Sequence, residues 1–266
     1  MRESADNPGI ASGLKIYKFN GLKSFDTLRH GVFARAGGMS LLPFDSLNVG
    51  LKTGDTEENI RENRKRIAFE LGMKPAVYLN QVHSDDIKVL RQDDNDLAQR
   101  FEPGKDIYTA DGVITDIPGV YLVIQVADCQ SVMMFDPERG VVANVHSGWR
   151  SSIKNILGKC VQTMTREFGT EPRDIRVGIG PSLGPCCSEF INYKTEIPES
   201  LWSYRVDDSH YFDFWQMSRD QLVGEGVKHS CIENMAICTK CNSNEFFSYR
   251  RENLTGRFAC IIGLKQ

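Results

Sequence analysis

Val120-Tyr-Leu-Val-Ile-Gln-Val126, Val132-Met-Met-Phe135 and Val141-Val-Ala-Asn-Val145 follow one another closely in the chain. The first is almost continuously apolar, the pattern of a strand buried on both faces. The other two flank Asp136-Pro-Glu-Arg-Gly140, a turn sequence, and so read as a β-hairpin. If Phe135 faces Val141, paired positions sum to about 276. Cys129 and His146 sum to 275, which brings a thiol and an imidazole together at the open end of the hairpin. Both sit where strand gives way to irregular chain, in Ala127-Asp-Cys129 and His146-Ser-Gly-Trp149, and strand ends are where sites usually lie.

Outward from this hairpin two helices are expected. One spans residues 56–71, with Asp55 as its cap, Glu57 and Glu58 in its first turn, Ile60, Ile67 and Leu71 on one face and Gly72 as its stop. The other spans residues 152–168, where Ile153, Ile156, Leu157, Cys160, Val161, Met164 and Phe168 follow core-facing helical spacing and Gly169 ends the run. Further strands are expected at residues 175–179 and 258–264, and the polar run at residues 91–105 reads as an exposed insertion. Strands mixed with helices, including a hairpin, indicate an α+β domain with a mixed sheet.

The chain has 266 residues, 41% of them hydrophobic, enough for one large core. The net charge of -3 provides no general attraction to nucleic acid or to an anionic membrane. No run approaches the ~20 apolar residues of a membrane span. Residues 1–13 are polar, lack the core of a secretory signal, and read as a frayed tail on a domain covering residues 14–266. A cytoplasmic protein is expected, its eight cysteines free thiols or metal ligands rather than disulfides.

Cys129 and His146 alone have three uses: metal ligation, a nucleophile with its base, or packing. His83, in the polar run Asn80-Gln-Val-His83 after the strand-like Val77-Tyr-Leu79, adds a second imidazole. Two His and one Cys complete the set for zinc with an open fourth position.

The chain resembles the YfiH-like family, known as multicopper polyphenol oxidase or laccase-domain proteins. The resemblance rests on His30-Gly-Val-Phe-Ala-Arg-Ala-Gly-Gly38, Asn48-Val-Gly50, Asn80-Gln-Val-His83, Ala110-Asp-Gly-Val-Ile-Thr115, Ala127-Asp-Cys129 and His146-Ser-Gly-Trp-Arg150. It continues through Gly178-Ile-Gly-Pro181, Gly184-Pro-Cys-Cys187, Phe247-Ser-Tyr-Arg-Arg251 and Thr255-Gly-Arg257. It implies one α+β domain with mixed β-sheets sandwiched between helices. It implies metal ligands at His83, Cys129 and His146, zinc as the usual metal and copper as the other one attributed. The implied activity is phosphorolysis of adenosine, inosine and 5'-methylthioadenosine, with adenosine deamination alongside. The partners are then nucleosides and phosphate, with a monomer or small homo-oligomer as the assembly. Ser147, Ser151 and Ser131 depart from the family's usual Ala, Gly and Pro at those positions.

Within that reading Cys129, His146 and Asp128 are the catalytic candidates, Asp128 as an orienting hydrogen-bond partner or a ribose ligand. Arg35, Asn48, Gln81, Arg150 and Arg250 are the substrate-binding candidates, the arginines because guanidinium matches phosphate bidentately. Five histidines are too few for a type 1 copper plus a trinuclear cluster, so only a single-copper oxidase reading survives. A metal-free Cys129/His146 hydrolase and a metal-dependent partner-binding module also fit these residues. Cys238-Thr-Lys-Cys241 suggests a second zinc site completed by Cys231 and His229, although a zinc ribbon uses two such pairs. Cys186-Cys187 and His30 read as structural, and the basic run Arg61-Glu-Asn-Arg-Lys-Arg66 as a solvated helix face.

Overall fold

The computed structural model describes residues 13–72, 76–92 and 104–266; the expected tail and most of the polar insertion at 91–105 lie outside them. Two six-stranded mixed sheets stack face to face. The first holds, in order, β1 (Ile16–Tyr17), β2 (Leu28–Phe33), β12 (Phe258–Leu264), β7 (Tyr121–Val126), β3 (Ala76–Asn80) and β5 (Tyr108–Thr109). The second holds β11 (Ile232–Asn234), β10 (Arg176–Ile179), β8 (Gln130–Asp136), β9 (Val141–Ser147), β6 (Gly112–Thr115) and β4 (Ile87–Leu90). A single helical turn, α1 (Asn20–Lys23), links β1 to β2 and buries Leu22.

Alternation assigns the faces. Leu122, Ile124 and Val126 of β7 point inward and meet Met133, Phe135 and Val142 of the opposite sheet. Tyr121 and Val123 point outward against Ile67 and Leu71 of α2 (Glu57–Leu71). On the far side, Ala143 and Val145 meet Ile156, Leu157, Val161 and Met164 of α4 (Ile156–Phe168), a helix preceded by the short α3 (Trp149–Ile153). The result is a four-layer α+β sandwich, in which each fully buried aliphatic side chain contributes roughly 1.5–3 kcal/mol. Asn144 ties the two sheets together, its amide donating to the carbonyls of Leu122 and Cys260 at 3.0 and 2.9 Å. Ser131 donates to the same Asn144 at 2.8 Å, which gives this serine a structural partner. Among the described residues no helix is long and apolar enough to cross a membrane.

Four local expectations need correction. The hairpin register is 277, with Asp136 paired to Val141 and Ser131 to His146. Asp136 belongs to the ladder because its carboxylate accepts from the N–H groups of Glu138 and Arg139, which closes the turn beyond it. The second helix starts earlier and breaks into α3 and α4: Asn155 between them adopts a left-handed φ of 55° while its side chain caps Gly158. At α2 the cap is Thr56, whose oxygen accepts from Asn59 N–H, and Asp55 braces the turn from one residue outside. The basic run of α2 is not wholly solvated either. Arg64 is buried on the helix's inner face, paired with Asp106 at 2.8 Å and stacked on Tyr78.

Candidate metal centre and substrate cleft

The site is built at the open end of the hairpin, where β8 begins and β9 ends. Ser131 pairs with His146, so Cys129, two residues earlier, falls on the same face as His146. A register of 276 would have paired His146 with Gln130 and turned Cys129 to the opposite face. Cys129 lies across from Gly148, where a Cβ would meet its sulfur at 3.1 Å and the His83 ring at 2.8 Å. Only glycine leaves room for the cluster there.

The third donor arrives on the loop after β3. His83 has a left-handed φ of 60°, a conformation costly for a side-chain-bearing residue and held by its surroundings. Asp111, at the start of β6 and fully buried, does the holding. Its carboxylate accepts from the N–H groups of Val82, His83 and Ser84, and from the Ser84 hydroxyl. It also meets His146 Nδ1 at 2.7 Å. One carboxylate therefore holds the backbone that carries His83 and orients the His146 ring, leaving His146 Nε2 for the cluster. His83 Nε2 lies 3.7 Å from Cys129 Sγ, and the two rings meet edge to face with centroids 4.8 Å apart. The ligand atoms of His83, Cys129 and His146 all lie within 4.8 Å of one another. Two nitrogens and a sulfur at this spacing fit zinc, and equally a His2Cys copper.

Electrostatics agree with that arrangement. Burial pushes the Cys129 thiol up, but the imidazoles of His146 and His83 bring it down to about 6. Burial pushes His146 down, while the Cys129 sulfur and Asp111 raise it to about 9. The sulfur is thereby biased toward the thiolate that metals bind, and His146 gives up its proton when it ligates.

Two cavities meet at this cluster, sharing His83, Ala127, Cys129 and Tyr249. The larger, about 410 Å³, is walled by Lys52, Gln81 and Arg257. Burial holds the Arg257 guanidinium below its usual value, against the pull of Cys129 and Asp128. The smaller, about 300 Å³, is walled by Trp149, Phe190 and Phe214, with Arg150 and Arg250 on it. These rings belong to an aromatic cluster with Tyr193 and Phe212.

The sequence-predicted residues are distributed unevenly over this site. His83, Cys129 and His146 converge. Arg150 lines the aromatic lobe, stacked on Trp149 and without an ion pair among the described residues. Arg250 lines it too and donates to the Glu189 carbonyl. Gln81 lines the larger lobe, but both ends of its amide bond the Gln125 backbone, extending the sheet. Asp128, with a φ of 86°, accepts from Thr239, Ser248 and the Arg250 N–H, so it braces loops beside the cluster. Arg35 lies away from the cleft, committed to Asp45, Ser243 and Glu252. Asn48 is fully buried and ties Thr53, Asp55, Gly50 and Arg257 together. Asp111, Lys52, Tyr249 and Arg257 are the site residues that sequence reasoning did not single out. Asp111 stands in the quoted Ala110-Asp-Gly run, and an acid inside an otherwise apolar run just before a strand was the available signal. Cys231 and His229 do not join Cys238 and Cys241; the thiols gathered there are those of Cys186 and Cys187.

Comparison with known proteins gives a consistent picture. Residues 29–265 match the family described as multi-copper polyphenol oxidoreductase laccase. A protein of Geobacillus stearothermophilus named purine nucleoside phosphorylase YlmD is 35% identical over 248 residues, covering 89% of this chain and 90% of its own. One of Escherichia coli named purine nucleoside phosphorylase YfiH is 33% identical, covering 86% and 91%. The crystal structure of the Bacillus licheniformis hypothetical protein YfiH superposes with a TM-score of 0.83 at 31% identity, covering 91% of this chain and 95% of that one.

Proposed function

The chain belongs to the YfiH-like family, described as multi-copper polyphenol oxidoreductase laccase, and from that membership we propose that it is a metal-dependent purine nucleoside phosphorylase. Relatives carrying that name align along nearly its whole length. The observation that carries the reading is the convergence of His83, Cys129 and His146 where two cavities meet, His83 and Cys129 lining both and His146 the larger one.

In phosphorolysis a phosphate oxygen bonds to ribose C1' while the C1'–N9 bond breaks. Its electron pair leaves with the base, which takes up a proton. The purine is assigned to the aromatic lobe, where Trp149, Phe190 and Phe214 offer ring faces and Arg150 and Arg250 offer donors. Phosphate is assigned to the other lobe, where Lys52 and Arg257 supply positive charge. Tyr249 stands between the two and fits the ribose. Asp111 holds His146 in one orientation, so the donors need no rearrangement during turnover. His83, Cys129 and His146 would hold an ion, zinc for preference and copper as the other candidate, and it would supply Lewis acidity. The proposed substrates are adenosine, inosine and 5'-methylthioadenosine, giving free base and ribose 1-phosphate or its methylthio analogue. Adenosine deamination at C6 is proposed as a second reaction of the same site. The proposed setting is the cytoplasm, where thiols stay reduced.

Mass spectrometry of products with and without phosphate tests this. Ribose 1-phosphate from inosine, formed only with phosphate and only by metal-loaded protein, is the expected result. Full conversion by protein stripped of metal, or no turnover of any of the three nucleosides, refutes it.

One observation favours a second reading. Cys129, His146 and Asp111 form a thiolate, imidazolium and carboxylate chain, the arrangement of a cysteine hydrolase. His83 is superfluous in that chemistry, yet its nitrogen faces the same sulfur. Inactivation by iodoacetamide together with indifference to chelators would select the hydrolase.

A further inference from the structure

A second group of potential ligands lies outside the cleft. Residues 184–188 form a tight turn, with the N–H groups of Cys187 and Ser188 donating to the Gly184 carbonyl. Residues 238–242 form another, with Asn242 N–H donating to the Cys238 carbonyl. Ser182 and Cys238 form a parallel bridge that sets the turns side by side. Each turn presents two cysteines to the other. Cys241 Sγ lies 3.7 Å from Cys186 Sγ and 3.5 Å from Cys187 Sγ, and all four sulfurs lie within 4.8 Å of one another.

Those distances discriminate between chemistries. A disulfide needs sulfurs ~2.05 Å apart. A tetrahedron with metal–sulfur bonds of ~2.3 Å has sulfur–sulfur edges of about 3.8 Å. Gly184 is required by packing, since a Cβ there would meet Trp215 at 2.9 Å and Cys238 Cβ at 3.1 Å.

We propose that Cys186, Cys187, Cys238 and Cys241 bind a second metal ion, zinc, in a closed tetrathiolate site. Four thiolates exhaust tetrahedral coordination, so the site is structural. Binding releases the thiol protons still present and cross-links two turns more than fifty residues apart in sequence. Both turns are tied to Asp128, one through the adjoining Leu183 N–H to its carbonyl and the other through Thr239 to its carboxylate at 2.6 Å. The second ion therefore cross-links the two turns that flank Asp128, while the cleft ligands keep their own braces through Asp111.

Elemental analysis of the full chain, purified from zinc-supplemented cells, tests the proposal. About two zinc ions per chain are expected, about one in His83→Ala/His146→Ala, and about one in Cys238→Ser. Cobalt loaded into His83→Ala/His146→Ala, which keeps all four thiols, should give the sulfur-to-cobalt charge-transfer and intense ligand-field bands of a tetrathiolate. Addition of Cys238→Ser to that variant should abolish them. His83→Ala/His146→Ala protein with no zinc, or a disulfide linking Cys241 to Cys186 or Cys187 in freshly prepared protein, would overturn it; a cleft that fails to hold zinc lowers the wild-type count only and leaves that variant at about one.

Discussion

The His83/Cys129/His146 cluster and the Cys186/Cys187/Cys238/Cys241 cluster are both groups of soft donors, yet they differ in nearly every other respect. The first has three donors at the junction of two cavities, with His146 buried and braced by a buried carboxylate. The second has four donors on turns, with Cys186 and Cys241 exposed, and neither cavity reaches it. A site short of one ligand suits chemistry, and a saturated one suits stability. The contrast extends to single histidines. His146 is raised to about 9 beside a thiolate and a carboxylate, whereas His30, buried and accepting the Phe19 N–H, is driven down by its burial to about 4.

The hardest strain on this contrast comes from His146→Ala. It should lower phosphorolysis by more than roughly 100-fold, since even partners of ligands cost 10–100-fold. Thermal unfolding of the metal-free protein should move little beyond the cost of the lost side chain. An unchanged rate would break the assignment of the cleft as the catalytic centre. Cys238→Ser should do the reverse, costing on the order of 3 kcal/mol and lowering the melting temperature by roughly 5–10 °C. The zinc affinity of the cleft should persist in that variant, as a competing chelator would measure.

Asp111→Asn should weaken metal binding at the cleft about 10–100-fold, read by the same competition. It keeps the volume but loses the charge facing His146 Nδ1. His30 supplies the pH test. Its folded value lies below the ordinary 6.5, so the unfolded chain takes up more protons in between. The stability it contributes is complete above 6.5, declines as pH falls, and is lost through about 4. The wild type should lose about 2 kcal/mol more than His30→Gln between pH 7 and pH 5, measured by urea unfolding. The smallest effect is expected at Ser151, a buried hydroxyl in α3 that has no hydrogen-bond partner. Ser151→Ala should stabilise by about 1 kcal/mol in the same assay.

Much of the fold was legible in local pattern. The continuous apolar run that became β7, the turn between β8 and β9, and the amphipathic spacing of α2 and α4 each carry their own period. The break at Asn155 was harder to see, because the apolar spacing of α4 runs on across it. Arg64 looked solvent-exposed because charge normally is, and its burial is explained by Asp106, by the Tyr78 ring and by the Val49 carbonyl, none of them close to it in the helix. The hairpin register was misjudged by one residue, since composition does not say whether Asp136 closes the ladder or opens the turn.

The sequence by itself determined the alternation of strands and helices, the three donors His83, Cys129 and His146, and the motifs that mark the family. Those depend on residue type and short-range period, which the chain states directly. Tertiary structure decided that Asp111 braces both the His83 loop and the His146 ring, that Arg257 and Tyr249 face the cleft while Arg35 does not, and that Cys238 and Cys241 meet Cys186 and Cys187 instead of Cys231. Each of these depends on which distant segments share a volume. Sheet pairing and loop packing fix that jointly, and no local pattern encodes it.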